Sequence, residues 1–245
     1  MTSPEDSFEI PPIIAHRGLS SEAPENTIAA ISLAAKSGLK WVEVDVKLSL
    51  DNHLLLCHDE TLHRTTNGSG KVSETSWSEL SKLDAGSWFH PKFKGESLPE
   101  LNLVLEQCNK LNLGINLELK PLKNNIKQLT EVLIPMILEY QEKGLDILVS
   151  SFNKAIIREV VKVNKEIKVG YLVDDEDNLN TIHKFIEEIK PISIHLPDKR
   201  CSKGYIQQVK QFGKIILVYT VNKKQRALEL EQMGVSLIFS DYYLL

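Results

Sequence analysis

The sequence predicts a parallel α/β fold, and three observations carry this prediction. Short apolar runs alternate with helical patterns along almost all of the 245 residues, as in parallel sheets covered by helices. Several helical patterns end at a glycine, which suits the left-handed cap of a helix C-terminus. The alternation continues to the last residues without a break. A single domain spanning residues 1–245 is therefore favoured over two.

Nine runs read as strands and seven segments read as helices. The strand-like runs are 12–16, 41–48, 54–58, 114–120, 146–152, 168–173, 191–196, 214–221 and 236–240. The helical segments are 27–37, 101–111, 124–143, 154–165, 177–189, 203–212 and 223–233. Nine strands are one too many for an eight-stranded (β/α) barrel.

The extra strand is explained by the spacing of runs 41–48 and 54–58. Only Ser49–His53 separate them, whereas a parallel crossover needs a dozen or more residues. The two runs must therefore form either a hairpin or a bent, distorted wall, and the sequence leaves both open.

The segment from about 60 to 98 lacks a long helical pattern and is rich in turn residues. A loop of this size in a compact domain is usually a functional lid or a small inserted module. Its aromatic residues Trp77, Trp88 and Phe89 either cap a pocket or pack the insertion, and we favour the lid.

The composition excludes several classes of protein. Hydrophobic residues make up 42% of the chain and charged residues 25%, and 29 basic against 33 acidic residues give a net charge of -4. This balance indicates neither nucleic-acid binding nor an acidic tail. Three cysteines without paired spacing favour a reducing compartment. Residues 1–12 lack the apolar stretch of a secretory signal, so we expect a cytoplasmic protein without a membrane anchor.

Two strands carry polar residues where a barrel strand should be apolar. Strands of a parallel barrel are packed on both faces, so both faces should be apolar. In runs 41–48 and 114–120, however, every second residue is polar or charged. Because side chains alternate along a strand, these residues share one face. They are Glu43, Asp45 and Lys47 in the first run and Asn116, Glu118 and Lys120 in the second.

A divalent cation would explain why Glu43, Asp45 and Glu118 converge. Each buried carboxylate carries a penalty of several kcal/mol, and three together also repel one another. Oxygen ligands without cysteine suit Mg²⁺, Mn²⁺ or Ca²⁺ better than zinc or copper. The alternative is a structural ion network in which Lys47 and Lys120 pair with these acids.

The remaining polar residues at strand ends suggest phosphate chemistry. Arg17 and Lys120 are suitable donors to a phosphate, the first through two N–H groups and the second as a point charge. His16 and His58 are suited to general acid–base catalysis near neutral pH. All four fall at the carboxyl ends of predicted strands, where active sites of such barrels lie.

Other polar residues near these strands have structural alternatives. Asn26 or Thr27 is expected to cap the helix that follows. Asp59 is expected to orient its neighbour His58 or the next turn. His195 either lines the pocket or is a core histidine.

A set of short motifs follows in order along the chain: His16-Arg17-Gly18, Pro24-Glu25-Asn26-Thr27, Glu43-Val44-Asp45, His58-Asp59, Arg64-Thr65-Thr66-Asn67-Gly68, Leu83-Asp84-Ala85-Gly86, Glu118-Leu119-Lys120, Ser151-Phe152 and Tyr219-Thr220-Val221-Asn222. In this order the motifs resemble those of the glycerophosphodiester phosphodiesterases, and the resemblance extends from about residue 13 to 241. Other stretches resemble the short cytoplasmic bacterial members. The resemblance implies a distorted (β/α)8 TIM barrel with a small insertion after the strand that ends at His58.

The resemblance also implies an activity and the residues for it. Glycerophosphodiesters such as glycerophosphocholine and glycerophosphoethanolamine would be hydrolysed to sn-glycerol 3-phosphate and an alcohol, in phospholipid-derived glycerol metabolism. The implied cofactor is one divalent cation, Mg²⁺ first, with Ca²⁺ or Mn²⁺ as alternatives. The implied residues are Glu43, Asp45 and Glu118 for the metal, His16 and His58 for acid–base catalysis, and Arg17, Lys120 and Tyr219 for the substrate. Tyr219 stands where many relatives carry tryptophan.

Two other functions remain open from the sequence. One is a related phospholipase-type phosphodiesterase of the same barrel superfamily. The other is a non-catalytic barrel that binds phosphodiesters, although a binding protein has no need of two histidines for proton transfer. The sequence does not indicate the preferred alcohol, the oligomeric state or which histidine is the acid.

Overall fold

A computed structural model describes residues 12–122 and 124–244 and confirms the predicted barrel. Residues 1–11, Lys123 and Leu245 lie outside the described residues. Eight parallel strands close into a ring, because the first strand pairs with both the second and the last. Of the helices in the described ranges, none is long and apolar enough to cross a membrane.

The strands and helices follow the predicted order. The strands are β1 (Ile13–His16), β2 (Trp41–Leu48), β3 (Leu54–Leu56), β4 (Gly114–Leu119), β5 (Ile147–Ser151), β6 (Val169–Leu172), β7 (Ser193–Pro197), β8 (Ile215–Tyr219) and β9 (Leu237–Ser240). The helices are α1 (Ile28–Lys36), α2 (Trp77–Leu80), α3 (Leu101–Leu111), α4 (Ile126–Glu142), α5 (Lys154–Val163), α6 (Leu179–Ile189), α7 (Lys203–Lys210) and α8 (Lys224–Gln232). Short 3₁₀ turns lie at Val72–Glu74, Pro91–Phe93 and Asp198–Arg200.

Strands β2 and β3 form a hairpin, which settles the alternative left open by the sequence. β3 pairs antiparallel with the last three residues of β2, whereas the short β1 pairs in parallel with the first three. The N–H of Gly18 and that of Cys57 donate to the carbonyls of Glu43 and Asp45. β1 and β3 thus follow one another along the same edge of β2, and His58 emerges beside the end of β1.

The apolar face of β2 packs outward and its polar face turns inward. Val42, Val44 and Val46 are fully buried in the cluster that also contains residues of the covering helices, such as Leu105 and Leu133. Each buried side chain of this size contributes about 1.5–3 kcal/mol to folding. The opposite face is left for the charged residues that the alternation predicts.

The insertion between β3 and α3 has an apolar cluster of its own, formed by Leu55, Cys57, Leu62, Val72, Leu80, Ala85 and Leu98. Trp77 packs against this cluster and stacks on His53, with ring centroids 5.8 Å apart. The Trp88 indole donates to the carbonyl of Ala85 and the ring meets Phe89 edge-on. None of these aromatics lines the central cavity, so the structure gives no support to an aromatic lid.

Candidate active site

A cavity of about 160 Å³ lies at the carboxyl ends of the barrel strands. It brings together seven of the eight residues that the sequence singled out, from five different strands or the turns after them. The eighth, Asp45, is fully buried directly behind its wall. The seven that line it are His16, Arg17, Glu43, His58, Glu118, Lys120 and Tyr219.

Three carboxylates meet on the β2–β4 side of this cavity. Asp45 lies opposite Glu118 in the register of the two parallel strands, and Glu43 is two residues earlier on the same face of β2. Each of the three offers an oxygen, and these oxygens lie within 4.8 Å of one another. All three residues are buried, with 2% of Glu43, 0% of Asp45 and 8% of Glu118 exposed.

Burial and mutual repulsion make this cluster hard to ionise. Burial, with the charge of Asp45, raises the pKa of Glu43 to about 8. The same two causes raise the pKa of Glu118. Burial acts in the same direction on Asp45, but Lys120 and Arg17 overcome it and lower the pKa of Asp45 to about 2. Asp45 is therefore held ionised, whereas Glu43 retains its proton up to a pH of about 8.

A divalent cation fits this cluster. Glu43 Oε1 is buried and has no hydrogen-bond partner among the described residues. Buried acceptors of this kind are rare and costly unless a ligand satisfies them. Carboxylate oxygens are the donors that hard cations prefer.

The alternative to a metal site was an ion network in which Lys47 and Lys120 pair with the three acids, and of the two lysines only Lys120 pairs with any of them. Lys120 Nζ lies 3.1 Å from Asp45 Oδ1 and also contacts Glu118 Oε1. Lys47, in contrast, has no carboxylate oxygen within 4.0 Å in the described part of the chain. Neither lysine pairs with Glu43 among the described residues.

Asn26 fixes the position of Asp45. Its backbone is left-handed, with φ +58°, a conformation that asparagine tolerates better than most residues. Its Nδ2 donates to Asp45 Oδ2 at 2.8 Å, and its Oδ1 accepts from the Asp45 N–H at 3.0 Å. Of the two residues predicted as the helix cap, Thr27 is the one that caps it, and its hydroxyl accepts from the Ala30 N–H. Asn26 is therefore a support of the carboxylate cluster.

His16 is held by an aspartate from the far end of the chain. His16 Nδ1 lies 2.7 Å from Asp241 Oδ1, and its Nε2 lies 3.9 Å from Glu43 Oε2. Burial opposes protonation, but the hydrogen bond to Asp241 and the charge of Glu43 raise the pKa of His16. Asp241 is itself anchored by Asn222 Nδ2 at 2.6 Å. The sequence analysis missed this partner, 225 positions away.

His58 is held by its neighbour, as predicted for Asp59. His58 Nδ1 lies 2.7 Å from Asp59 Oδ1, while burial lowers the pKa of His58. Arg64 donates to Asp59 Oδ2 at 2.6 Å and to both oxygens of Glu25, at 2.7 and 2.8 Å. Glu25 in turn accepts from Arg17 Nη1 at 2.9 Å. A chain of alternating charges thus connects the guanidinium of Arg17 to the imidazole of His58.

Aromatic rings form the wall opposite the carboxylates. The hydroxyl of Tyr219 donates to the Val173 carbonyl at 2.7 Å. Its ring meets that of Phe152 edge-on, with centroids 5.8 Å apart. Because the hydroxyl is already bonded to the backbone, Tyr219 presents its ring to the cavity.

The floor of the cavity is polar and includes Asn116, Ser150 and His195. Asn116 Nδ2 donates to Ser150 Oγ at 3.0 Å. His195 is fully buried and lies 2.9 Å from Ser193 Oγ through Nε2. Burial lowers the pKa of His195 to about 3, so the ring is neutral. His195 thus satisfies both alternatives: it is buried in the core and borders the cavity.

Comparisons with known proteins agree with this geometry. The sequence model of the Glycerophosphoryl diester phosphodiesterase family matches residues 16–245. A glycerophosphodiester phosphodiesterase of Caldanaerobacter subterraneus subsp. tengcongensis is 34% identical over 229 residues, covering 94% of this chain and 93% of its own. A phosphodiesterase of Oleispira antarctica, solved in complex with the product sn-glycerol-3-phosphate, is 34% identical with a TM-score of 0.90, covering 95% of this chain and 94% of its own. A glycerophosphodiester phosphodiesterase of Agrobacterium tumefaciens is 29% identical with a TM-score of 0.80, covering 95% of this chain and 97% of its own.

Proposed function

The chain belongs to the glycerophosphoryl diester phosphodiesterase family, and on that premise we propose that it hydrolyses glycerophosphodiesters to sn-glycerol 3-phosphate and an alcohol. One observation of this structure carries the proposal: a buried cluster of three carboxylates opens into the same cavity as two histidines, each paired with an aspartate. A protein that only bound phosphodiesters would need neither pair.

Glu43, Asp45 and Glu118 would hold a divalent cation, for which we propose Mg²⁺, with Ca²⁺ and Mn²⁺ as alternatives. When bound, the cation would offset negative charge on the phosphoryl oxygens in the transition state. Asp45 is the member already ionised, and Asn26 holds its carboxylate in place.

Arg17 and Lys120 would bind the phosphate of the substrate. Both point into the cavity and both are at present balanced by carboxylates, Arg17 by Glu25 and Lys120 by Glu118. Cations placed where negative charge develops stabilise the transition state more than the ground state. Tyr219 would contact the glycerol half of the substrate through its ring.

His16 and His58 would move the two protons of the reaction. One histidine accepts the proton of the hydroxyl that attacks phosphorus, either the neighbouring glycerol hydroxyl or water. The other gives a proton to the alcohol oxygen as its bond to phosphorus breaks. If the glycerol hydroxyl attacks, water then opens the cyclic phosphate with the two roles exchanged. Each Nδ1 faces an aspartate, which leaves both Nε2 atoms for this work.

Turnover of glycerophosphocholine tests the proposal. Release of sn-glycerol 3-phosphate should require a divalent cation, stop after chelation and return when Mg²⁺, Mn²⁺ or Ca²⁺ is added. Failure to cleave any glycerophosphodiester with any of these cations would contradict it.

A cytoplasmic location is likewise proposed. Cys57, Cys108 and Cys201 are all buried and free of disulfides, which is consistent with a reducing compartment.

A further inference from the structure

A groove of about 310 Å³ runs from the catalytic cavity toward the insertion. It shares four lining residues with the cavity, including His58 and Phe152. Beyond them it is lined by residues outside the proposed machinery, among them Lys47, Glu60 and Leu122. We call it the Lys47 groove.

Lys47 is the most unusual residue of this groove. Only 8% of it is exposed, near the end of β2. Within residues 12–122 and 124–244 its ammonium has neither a carboxylate oxygen within 4.0 Å nor a hydrogen-bond acceptor. Lys120, the other lysine of the groove, contacts both Asp45 and Glu118. The side chain of Lys47 is thus largely buried while its ammonium has no partner among the described residues, so its charge is available for a ligand.

Glu60 gives the same groove a negative charge. It is exposed at the start of the insertion and, in the described part of the chain, forms no ion pair. Among the described residues, Lys47 and Glu60 therefore form no ion pair with each other or with a neighbour. A ligand that carries both charges would complement the groove.

The groove lies on the side of the cavity that His58 borders. His58, one of the two residues proposed for proton transfer, forms part of the boundary between cavity and groove. The opening on the other side, near Asn222 and Arg226, shares only Thr220 with the cavity and contains neither catalytic histidine. An alcohol oxygen that exchanges a proton with His58 would direct the rest of the alcohol into the Lys47 groove.

Resting on the proposed function, we propose that the Lys47 groove binds the alcohol half of the substrate and that Lys47 sets the head-group preference. Its ammonium binds an anionic head group and repels a purely cationic one. Serine is the best fit, because its carboxylate faces Lys47 and its ammonium faces Glu60. Glycerophosphoserine is therefore a better substrate than glycerophosphocholine.

Substitution of Lys47 by methionine tests this, because methionine keeps an unbranched apolar side chain and removes the charge. With saturating Mg²⁺, Lys47→Met should lower kcat/KM for glycerophosphoserine by ~10-fold and raise it severalfold for glycerophosphocholine. Lys47→Arg, which keeps the charge, should retain the order of preference. Lys36→Met, on an exposed residue at the C-terminus of α1, is the control for the change in net charge.

Glu60→Gln offers a second test at an exposed residue whose replacement leaves the core intact. It should lower kcat/KM for glycerophosphoserine relative to glycerophosphoglycerol, whose head group has no ammonium. If Lys47→Met lowered kcat/KM equally for all diesters, Lys47 would act at the phosphate and the inference would be wrong. An unchanged ratio of kcat/KM for glycerophosphoserine to that for glycerophosphocholine would also overturn it. If the wild-type protein cleaves none of the diesters, the proposed function itself fails.

Discussion

The affinity of the carboxylate cluster for a divalent cation should rise with pH up to about 8, where Glu43 loses its proton. A protonated carboxyl is a poor ligand, so each bound cation must displace the proton of Glu43. Glu118, whose pKa burial also raises, acts in the same direction. Between the ordinary pKa of glutamate, ~4.3, and about 8, the cation-free folded protein holds a proton that the unfolded chain has lost. Stability without cation therefore falls as pH rises through this window, and stabilisation by the cation grows.

The magnitude follows from one displaced proton per cation. Affinity then changes about tenfold per pH unit, equivalent to about 1.4 kcal/mol. At about pH 6.5, roughly 1.5 units below the pKa of Glu43, binding should be ~30-fold weaker than on the plateau above pH 8.

Calorimetric titration with Mg²⁺ in two buffers of different ionisation enthalpy measures both quantities. We expect release of about one proton per cation near pH 6.5 and almost none near pH 9. Glu43→Gln should bind more weakly and lose most of the proton release. Equal affinity at pH 6.5 and 8.5, or unchanged proton release in Glu43→Gln, would refute the assignment of Glu43 as a ligand that titrates.

Three further predictions concern the histidines and the barrel floor. His16→Ala and His58→Ala should each lower kcat by at least ~10² while the Mg²⁺ titration is retained; near-normal kcat in either would remove it from the acid–base pair. Asp241→Asn should lower the pKa of His16, since a supporting charge is lost, and should move one limb of the pH–rate profile to lower pH. If the acidic limb of the profile moves, His16 is the general base; if the basic limb moves, His16 is the general acid. If neither limb moves, the contact between His16 and Asp241 does not support catalysis. Gly170→Ala places a Cβ 2.4 Å from a ring nitrogen of the buried histidine in β7 and should cost about 1–3 kcal/mol in urea unfolding. Gly204→Ala, whose added Cβ meets no atom within 4 Å apart from its chain neighbours and its own helix, is the control for the glycine-to-alanine change, and equal stability of the two variants would contradict the packing argument.

The catalytic face of the barrel was predictable because alternation is a local property. Glu43 and Asp45 are two residues apart on one strand, so their common face follows from strand geometry alone. Their contact with Glu118 depends on how β2 and β4 pair. The barrel class predicts that these strands are parallel neighbours, but not that Asp45 lies opposite Glu118. For these residues the sequence was sufficient to predict the cluster.

What the sequence did not predict depends on contacts between distant segments. The pairing of His16 with Asp241 joins the first strand to the residue after the last, and no local pattern records it. The helix cap could be narrowed to Asn26 or Thr27 because the capping signal is local, whereas the contact of Asn26 with Asp45 is made across the fold. The hairpin of β2 and β3 was one of two possibilities, because a short connection excludes a crossover without fixing the pairing.

The hairpin also has a consequence for the order in which the active site assembles. Val46 and Leu56 pair over a short loop, so β2 and β3 can associate early, at low entropic cost. The pairing of β1 with β9, which joins Ile13 to Ile238, closes nearly the whole chain into a ring. We therefore expect the carboxylates of β2 and the turn that carries His58 to be organised before closure. The contact between His16 and Asp241 then forms with the ring itself, and the appearance of activity during refolding would report its closure.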